Sequence, residues 1–165
     1  MPRCTCILGL LLLLGVIPFA GCAPTPFIVI ESVEVVGEHD EAAALVFKGT
    51  ISNTHEQTLR LLEFDYTLSM HDRQVYQGRH AAEMTLTAGS KRTFTLPASF
   101  PLLQQDYRGL GFLPDSSHWS LSGNLVYLGE GVLAETFLDM GFRPSVGFNA
   151  SGDLQWPSSR TASVR

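Results

Sequence analysis

The chain has 165 residues, of which 45% are hydrophobic and 16% charged, and carries a net charge of −5. A length of this order supports one domain, burying about two-thirds of its unfolded surface without covalent staples. The mildly acidic balance, with no Lys/Arg run, excludes a nucleic-acid face, which needs a basic stripe.

The chain opens with Arg3 and a hydrophobic segment, Ile7 to Phe19, followed by Ala20-Gly21-Cys22. Small residues between an apolar run and a Cys resemble a bacterial lipobox, with Phe19 where Leu is usual. The implied events are thioether lipidation of Cys22, cleavage before it and acylation of the new N-terminus. The apolar run is short for a span of roughly 20 residues, and its order is that of a secretory signal. Ordinary signal cleavage would leave Cys22 as an odd free thiol. Cys4 and Cys6 leave with the signal, and loss of Arg3 takes the net charge to −6. Ala23 rather than Asp after the Cys is the enterobacterial pattern for outer-membrane sorting, so a periplasm-facing lipid anchor is expected.

Ala23-Pro24-Thr25-Pro26 reads as a short extended tether. After it, strict alternation dominates. Val33 and Val35 alternate with Ser32 and Glu34, and Leu45, Phe47 and Ile51 with Lys48, Thr50 and Ser52. Leu62, Phe64, Tyr66, Leu68 and Met70 alternate with Glu63, Asp65, Thr67 and Ser69. Phe94 and Leu96 alternate with Thr93 and Thr95, and Trp119, Leu121, Leu125 and Tyr127 with Ser120, Ser122 and Asn124. Strand side chains point alternately to opposite faces, so each segment has one buried and one wet face. Val132 to Leu138 reads as a less regular final strand, and Leu102 to Leu110 as one short helix.

Turn signals fall at Gly37 to Glu41, Asn53 to Gln57, His71 to Gln74, Ala88 to Ser90 and Gly129 to Gly131. Short strands at this spacing predict an all-β antiparallel sandwich or barrel. The segment from Asn149 to Arg165 is rich in Ser, Gly and Pro, with little to bury, and is expected to be disordered.

Motifs for chemistry are weak. His55-Glu56-Gln57-Thr58-Leu59 starts like a zinc-protease helix, but Leu59 stands where the second His belongs. Gly129-Glu130-Gly131-Val132-Leu133-Ala134 fits a permissive dinucleotide pattern, yet between two expected strands a hairpin turn is the better reading. Glu38, His39, Asp40 and Glu41 read as a solvated loop tip, and no Gly-x-Ser-x-Gly occurs. Asp65 is expected outward, paired with a basic residue on a neighbouring strand. The aromatics Phe47, Phe64, Tyr66, Phe94, Trp119 and Tyr127 are expected in the core. No catalytic residue, metal ligand or cofactor is assigned.

Ile30-Glu31-Ser32-Val33-Glu34-Val35, the turn Ser52-Asn53-Thr54-His55 and the strand Phe64-Asp65-Tyr66-Thr67-Leu68 stand in a familiar order. They are followed by Val75-Tyr76-Gln77-Gly78, Leu86-Thr87-Ala88-Gly89, Thr93-Phe94-Thr95-Leu96-Pro97 and Trp119-Ser120-Leu121-Ser122-Gly123-Asn124-Leu125. This ordered set resembles the late embryogenesis abundant (LEA) type-2 family, the WHy (water stress and hypersensitive response) domain. The usual Asn-Pro-Asn turn lacks its Pro here. The resemblance implies an immunoglobulin- or fibronectin-III-like β-sandwich of about seven strands, desiccation and stress tolerance, and no catalysis. The expected organisation is a signal at 1–21, lipidated Cys and tether at 22–29, sandwich at 30–148 and tail at 149–165. The expected function is membrane-anchored protection of the cell envelope under water stress. The alternative is an envelope assembly or transport adaptor that binds a protein through a sandwich edge.

Overall fold

The structure is a computed structural model that describes residues 25–38, 42–101 and 116–156. Among the described residues, seven strands form two antiparallel sheets. They are β1 (Phe27–Glu38), β2 (Ala42–Ser52), β3 (Leu59–Met70), β4 (Arg73–Leu86), β5 (Lys91–Pro101), β6 (Ser116–Gly129) and β7 (Ser145–Gln155). One sheet has the order β1-β2-β5 and the other β4-β3-β6-β7. The fourth strand stays beside the third, so the sandwich has a fibronectin-III-like arrangement. A helix, α1 (Val132–Asp139), connects β6 to β7.

The core follows the alternation. Leu45, Phe47 and Ile51 from β2 meet Phe64, Tyr66, Leu68 and Met70 from β3, all at most 2% exposed. Phe94 and Leu96 from β5, and Trp119, Leu121, Leu125 and Tyr127 from β6, complete the cluster. Phe64 stacks on Phe94 at 4.8 Å between ring centroids, and Phe47 meets Trp119 edge-on at 5.2 Å. Between the sheets, the Tyr66 hydroxyl donates to the Pro97 carbonyl. Burial, with Tyr76 close by as a lesser cause, pushes the Tyr66 phenol above its ordinary value of 10.0.

Three glycines within strands face aromatic rings. Gly49 pairs with Phe94, Gly123 with Phe148 and Gly152 with Trp119 across neighbouring strands. A Cβ at Gly123 would collide with the Asp65 carbonyl and lie 2.7 Å from the Phe148 ring. The ring therefore fills the space that the glycine leaves on the inner face. Trp119 covers Gly152 in the same manner, and its buried Nε1 has no acceptor among the described residues.

Five expectations are corrected. The segment Val132 to Leu138 is helix, not strand, and the final strand lies later, at Ser145–Gln155. The tail is therefore ordered through Trp156. Leu154 is 4% exposed, and Trp156 packs at 5.6 Å from Phe100 and donates from Nε1 to Ser117 Oγ at 2.8 Å. The sandwich also begins earlier than Ile30, at Phe27, with Pro26 already buried. The alternation in β3 slips at a bulge between Leu61 and Glu63, so Leu61, 1% exposed, takes the core position expected of Leu62. Thr50 is likewise buried rather than wet, with its Oγ1 donating to Glu31 Oε1 at 2.8 Å. Leu102 to Leu110 lies outside the described residues.

Candidate functional site

The outer face of the four-stranded sheet gathers the polar half of each alternating strand. The antiparallel registers set it out in rows across β4, β3, β6 and β7. One row runs Arg79, Asp65, Asn124, Gly147, and the next runs Gln77, Thr67, Ser122, Asn149. Beyond them lie Ser69, Ser120 and Ser151, then His118 opposite Asp153. Asp65, Thr67, Gln77, Ser122, Asn124 and Asn149 line an open groove of about 780 Å³, together with Pro26 and with Phe27 and Ile28 at the start of β1. Hydroxyl and amide side chains dominate, supplying both donors and acceptors.

Charges on this face are held in place by ion pairs. Arg79 Nε donates to Asp65 Oδ1 at 2.7 Å and lies 3.7 Å from Glu63 Oε2. The hydrogen bond to Asp65 and the two nearby carboxylates raise the Arg79 pKa further. Arg143 Nη1 donates to Glu63 Oε1 at 3.3 Å, and His118 Nδ1 sits 3.2 Å from Asp153 Oδ1. The outward Asp65 with a basic partner on the next strand is as expected. Exposed pairs of this type are worth under about 1 kcal/mol each, so they order the face more than they stabilise the fold.

At one end of the sandwich Asn53 ties two turns together. It is 1% exposed, and its Nδ2 donates to Gln57 O at 2.6 Å, with Leu86 O and Thr87 O at 3.2 and 3.3 Å. Its Oδ1 accepts from the His55 N–H at 3.1 Å. The Asn of the turn thus works without the missing Pro. At the other end the β3–β4 hairpin turns through His71 and Asp72, both at positive φ (49° and 62°), the geometry of a type I′ turn.

The motifs weighed for chemistry are dispersed. His55 is a half-buried turn residue and Leu59 opens β3 fully buried, so the zinc-protease pattern has no helix to stand on. Gly129-Glu130-Gly131 leads into α1 rather than into the expected hairpin, with Gly131 at φ 145°. The strands on either side of that helix are antiparallel neighbours, so no parallel βαβ crevice forms for a pyrophosphate. His39 to Glu41 lie outside the described residues, as does Cys22. Among the described residues no group of three or more His, Cys, Asp and Glu side chains is placed to hold a metal ion. Nor is any described helix long and apolar enough to cross a membrane. The β6 and β3 members of the polar rows were visible as wet-face residues. The β7 members, Asn149, Ser151 and Asp153, were missed with their strand.

No family model matches the chain, and no curated protein matches it in sequence. Solved structures do match in shape. A protein of Arabidopsis thaliana determined in solution superposes with a TM-score of 0.62 at 14% identity, covering 84% of this chain and 86% of that one. A protein described as a candidate LEA protein gives 0.54 at 16% identity, covering 85% and 76%. A protein from Archaeoglobus fulgidus gives 0.51 at 13% identity, covering 78% and 98%. At these identities the likeness concerns the fold, and the sandwich described above is an LEA-like fold.

Proposed function

We propose that this chain is a non-enzymatic, lipid-anchored protein of the cell envelope whose LEA type-2-like (WHy-like) sandwich protects envelope components during water stress. The observation that carries this reading is the outer face of the four-stranded sheet. Its polar groups are spread along rows rather than converging on one point. Such a face suits contact with a hydrated surface, where hydroxyls and amides replace water as hydrogen-bond partners. The shape likeness to a protein described as LEA supports the same direction. Acyl chains on Cys22 would hold the domain at the membrane, at about 0.8 kcal/mol per buried methylene, and Ala23 favours the outer membrane.

A desiccation and osmotic-shock comparison of a deletion strain with its parent tests the proposal. Survival should fall on deletion and return with the wild-type gene. A Thr67→Val, Ser122→Val, Asn149→Val triple variant, which keeps strand-compatible residues on the face, should restore it poorly. A deletion strain that survives like its parent would sink the reading.

A second reading, the envelope adaptor, is favoured by the edge at β7. That strand pairs with β6 over its whole length without a register break and contains no Lys, Arg or Pro. The other edges are blunted, β1 and β4 by bulges and β5 by Lys91, Arg92, Pro97 and Pro101. Photo-crosslinkers along Ser151 to Gln155 that trap one envelope protein in vivo would favour strand addition.

A further inference from the structure

Large apolar side chains are exposed unevenly. Four of the five so exposed among the described residues belong to one end: Phe27 (64%), Val29 (39%), Met140 (70%) and Phe142 (63%). Phe27 opens β1 opposite Ser52, the last residue of β2, and Gly129 closes β6 opposite Leu59, the first residue of β3. The Tyr127 N–H donates to Pro144 O at 3.1 Å, which continues the β6–β7 pairing toward the same end. The starts of β1 and β7 adjoin there, because Phe27 and Ile28 line one groove with Val146 and Phe148. The fifth, Val36, lies near the other end of β1.

The chain enters the sandwich at this apolar end. Phe27 lies five residues after Cys22, a reach of at most about 18 Å. A strand of 12 residues such as β1 is roughly 40 Å long. A tether that short keeps the near end within about 18 Å of a surface that holds Cys22, whereas the far end of an upright sandwich stands roughly 40 Å further away.

We infer that this end is a lipid-contacting surface, with Phe27, Met140 and Phe142 entering the headgroup region of the bilayer that anchors the chain. The inference rests on the lipid-anchor reading above and adds an orientation to it: the sandwich stands on its β1 start, and the far hairpin tip at His71 and Asp72 points away from the membrane. Most Lys and Arg side chains near this end lie beside carboxylates, while Arg92, opposite Ile51 on β5, stands in no ion pair among the described residues. Arg60 lies 3.2 Å from Glu135, Arg143 3.3 Å from Glu63 and Lys91 4.0 Å from Glu31. The contact is therefore mainly apolar in origin and should change little with anionic lipid or salt.

The test uses the full processed chain, reconstituted into phosphatidylcholine vesicles that carry nitroxide-labelled lipid. Single variants Phe27→Cys, Met140→Cys, Phe142→Cys and, as control, Val36→Cys receive an environment-sensitive fluorophore. All four positions are exposed, and thermal melts confirm folding before labelling. Mass spectrometry first establishes whether Cys22 carries lipid. The expected result is blue-shifted emission, largely quenched by the nitroxide, at positions 27, 140 and 142, with position 36 unaffected, and little change with anionic lipid or salt. A lipidated protein with positions 140 and 142 as unquenched as position 36 overturns the inference and leaves the anchor standing. Cross-linking of two copies through position 142 overturns it in favour of a dimer contact. If Cys22 carries no lipid, the anchor fails. Quenching of the same labels after mixing with vesicles would then still support the contact surface, and its absence would overturn that as well.

Discussion

Phe64 and Asp65 are neighbours in sequence and face opposite sides of β3. Phe64 is fully buried against Phe94 and Phe148, whereas Asp65 meets Arg79 on the outer face. Phe64→Ala should destabilise the domain by about 3–5 kcal/mol, through lost burial and the cavity left behind. Asp65→Ala should cost about 0.5 kcal/mol or less, because its ion pair is exposed. Paired denaturant melts read the contrast, and equal costs would mean that the register of β3 is wrong. Tyr66, the next inward residue, gives a prediction with a sign. Its folded pKa lies above the ordinary value of 10.0. The stability it contributes is fully present below pH 10 and is lost as pH rises through the folded pKa. Tyr66→Phe should lose about 1 kcal/mol at neutral pH, since the Pro97 carbonyl loses its donor. The gap between the two proteins should then narrow in melts above pH 10. A gap that widens there would refute the assignment of the raised pKa to the buried phenol.

Among the elements, β7 shows what alternation can and cannot reveal. Strands β2, β3, β5 and β6 were legible because each inner face carries its own large apolar residues. In β7 the inner positions are Val146, Phe148, Ala150, Gly152 and Leu154. The most glycine-like of these is covered by a ring from the neighbouring strand, Trp119 over Gly152, so the burial is supplied by β6. Read alone, such a strand has the composition of a tail. The helix was misread for the opposite reason: Val132 to Leu138 is apolar enough for a strand, but its role is to carry the chain from the end of β6 to the start of β7. The same logic hid the β7 members of the candidate face, since a row of polar side chains is visible only when its strand is. Deleting Ser151 to Arg165 would remove Leu154, Trp156 and nearly half the length of β7. The expected result is a fall in melting temperature of about 10 °C or more, from a loss of several kcal/mol in a domain of this size. A truncated protein that melts like the full chain would show that β7 contributes no more than the unfolded tail it resembles.

At the scale of the whole molecule, the proposed anchor at Cys22 lies outside the stretch of sequence that builds the described core. Every described residue of the hydrophobic core lies within the stretch from Ile28 to Trp156. Cys22 precedes all of them, so the proposed anchor can be removed without touching the described core. Cys22→Ser should therefore release the protein from the membrane fraction while leaving its thermal melt and its far-ultraviolet circular dichroism unchanged. The two readouts discriminate sharply. A variant that remains membrane-bound would show that attachment does not depend on the lipid, and would move the burden to the apolar end around Phe27 and Phe142 or to an uncleaved leader. A variant that is released but melts at a lower temperature would show that the bilayer itself stabilises the sandwich, as a ligand does when it binds only the folded state. In that case the fall should vanish when wild type and variant are compared in detergent-free solution after enzymatic removal of the acyl chains. The expected outcome, release with an unchanged melt, would mean that the sandwich is autonomous and that lipidation sets only where its polar face acts.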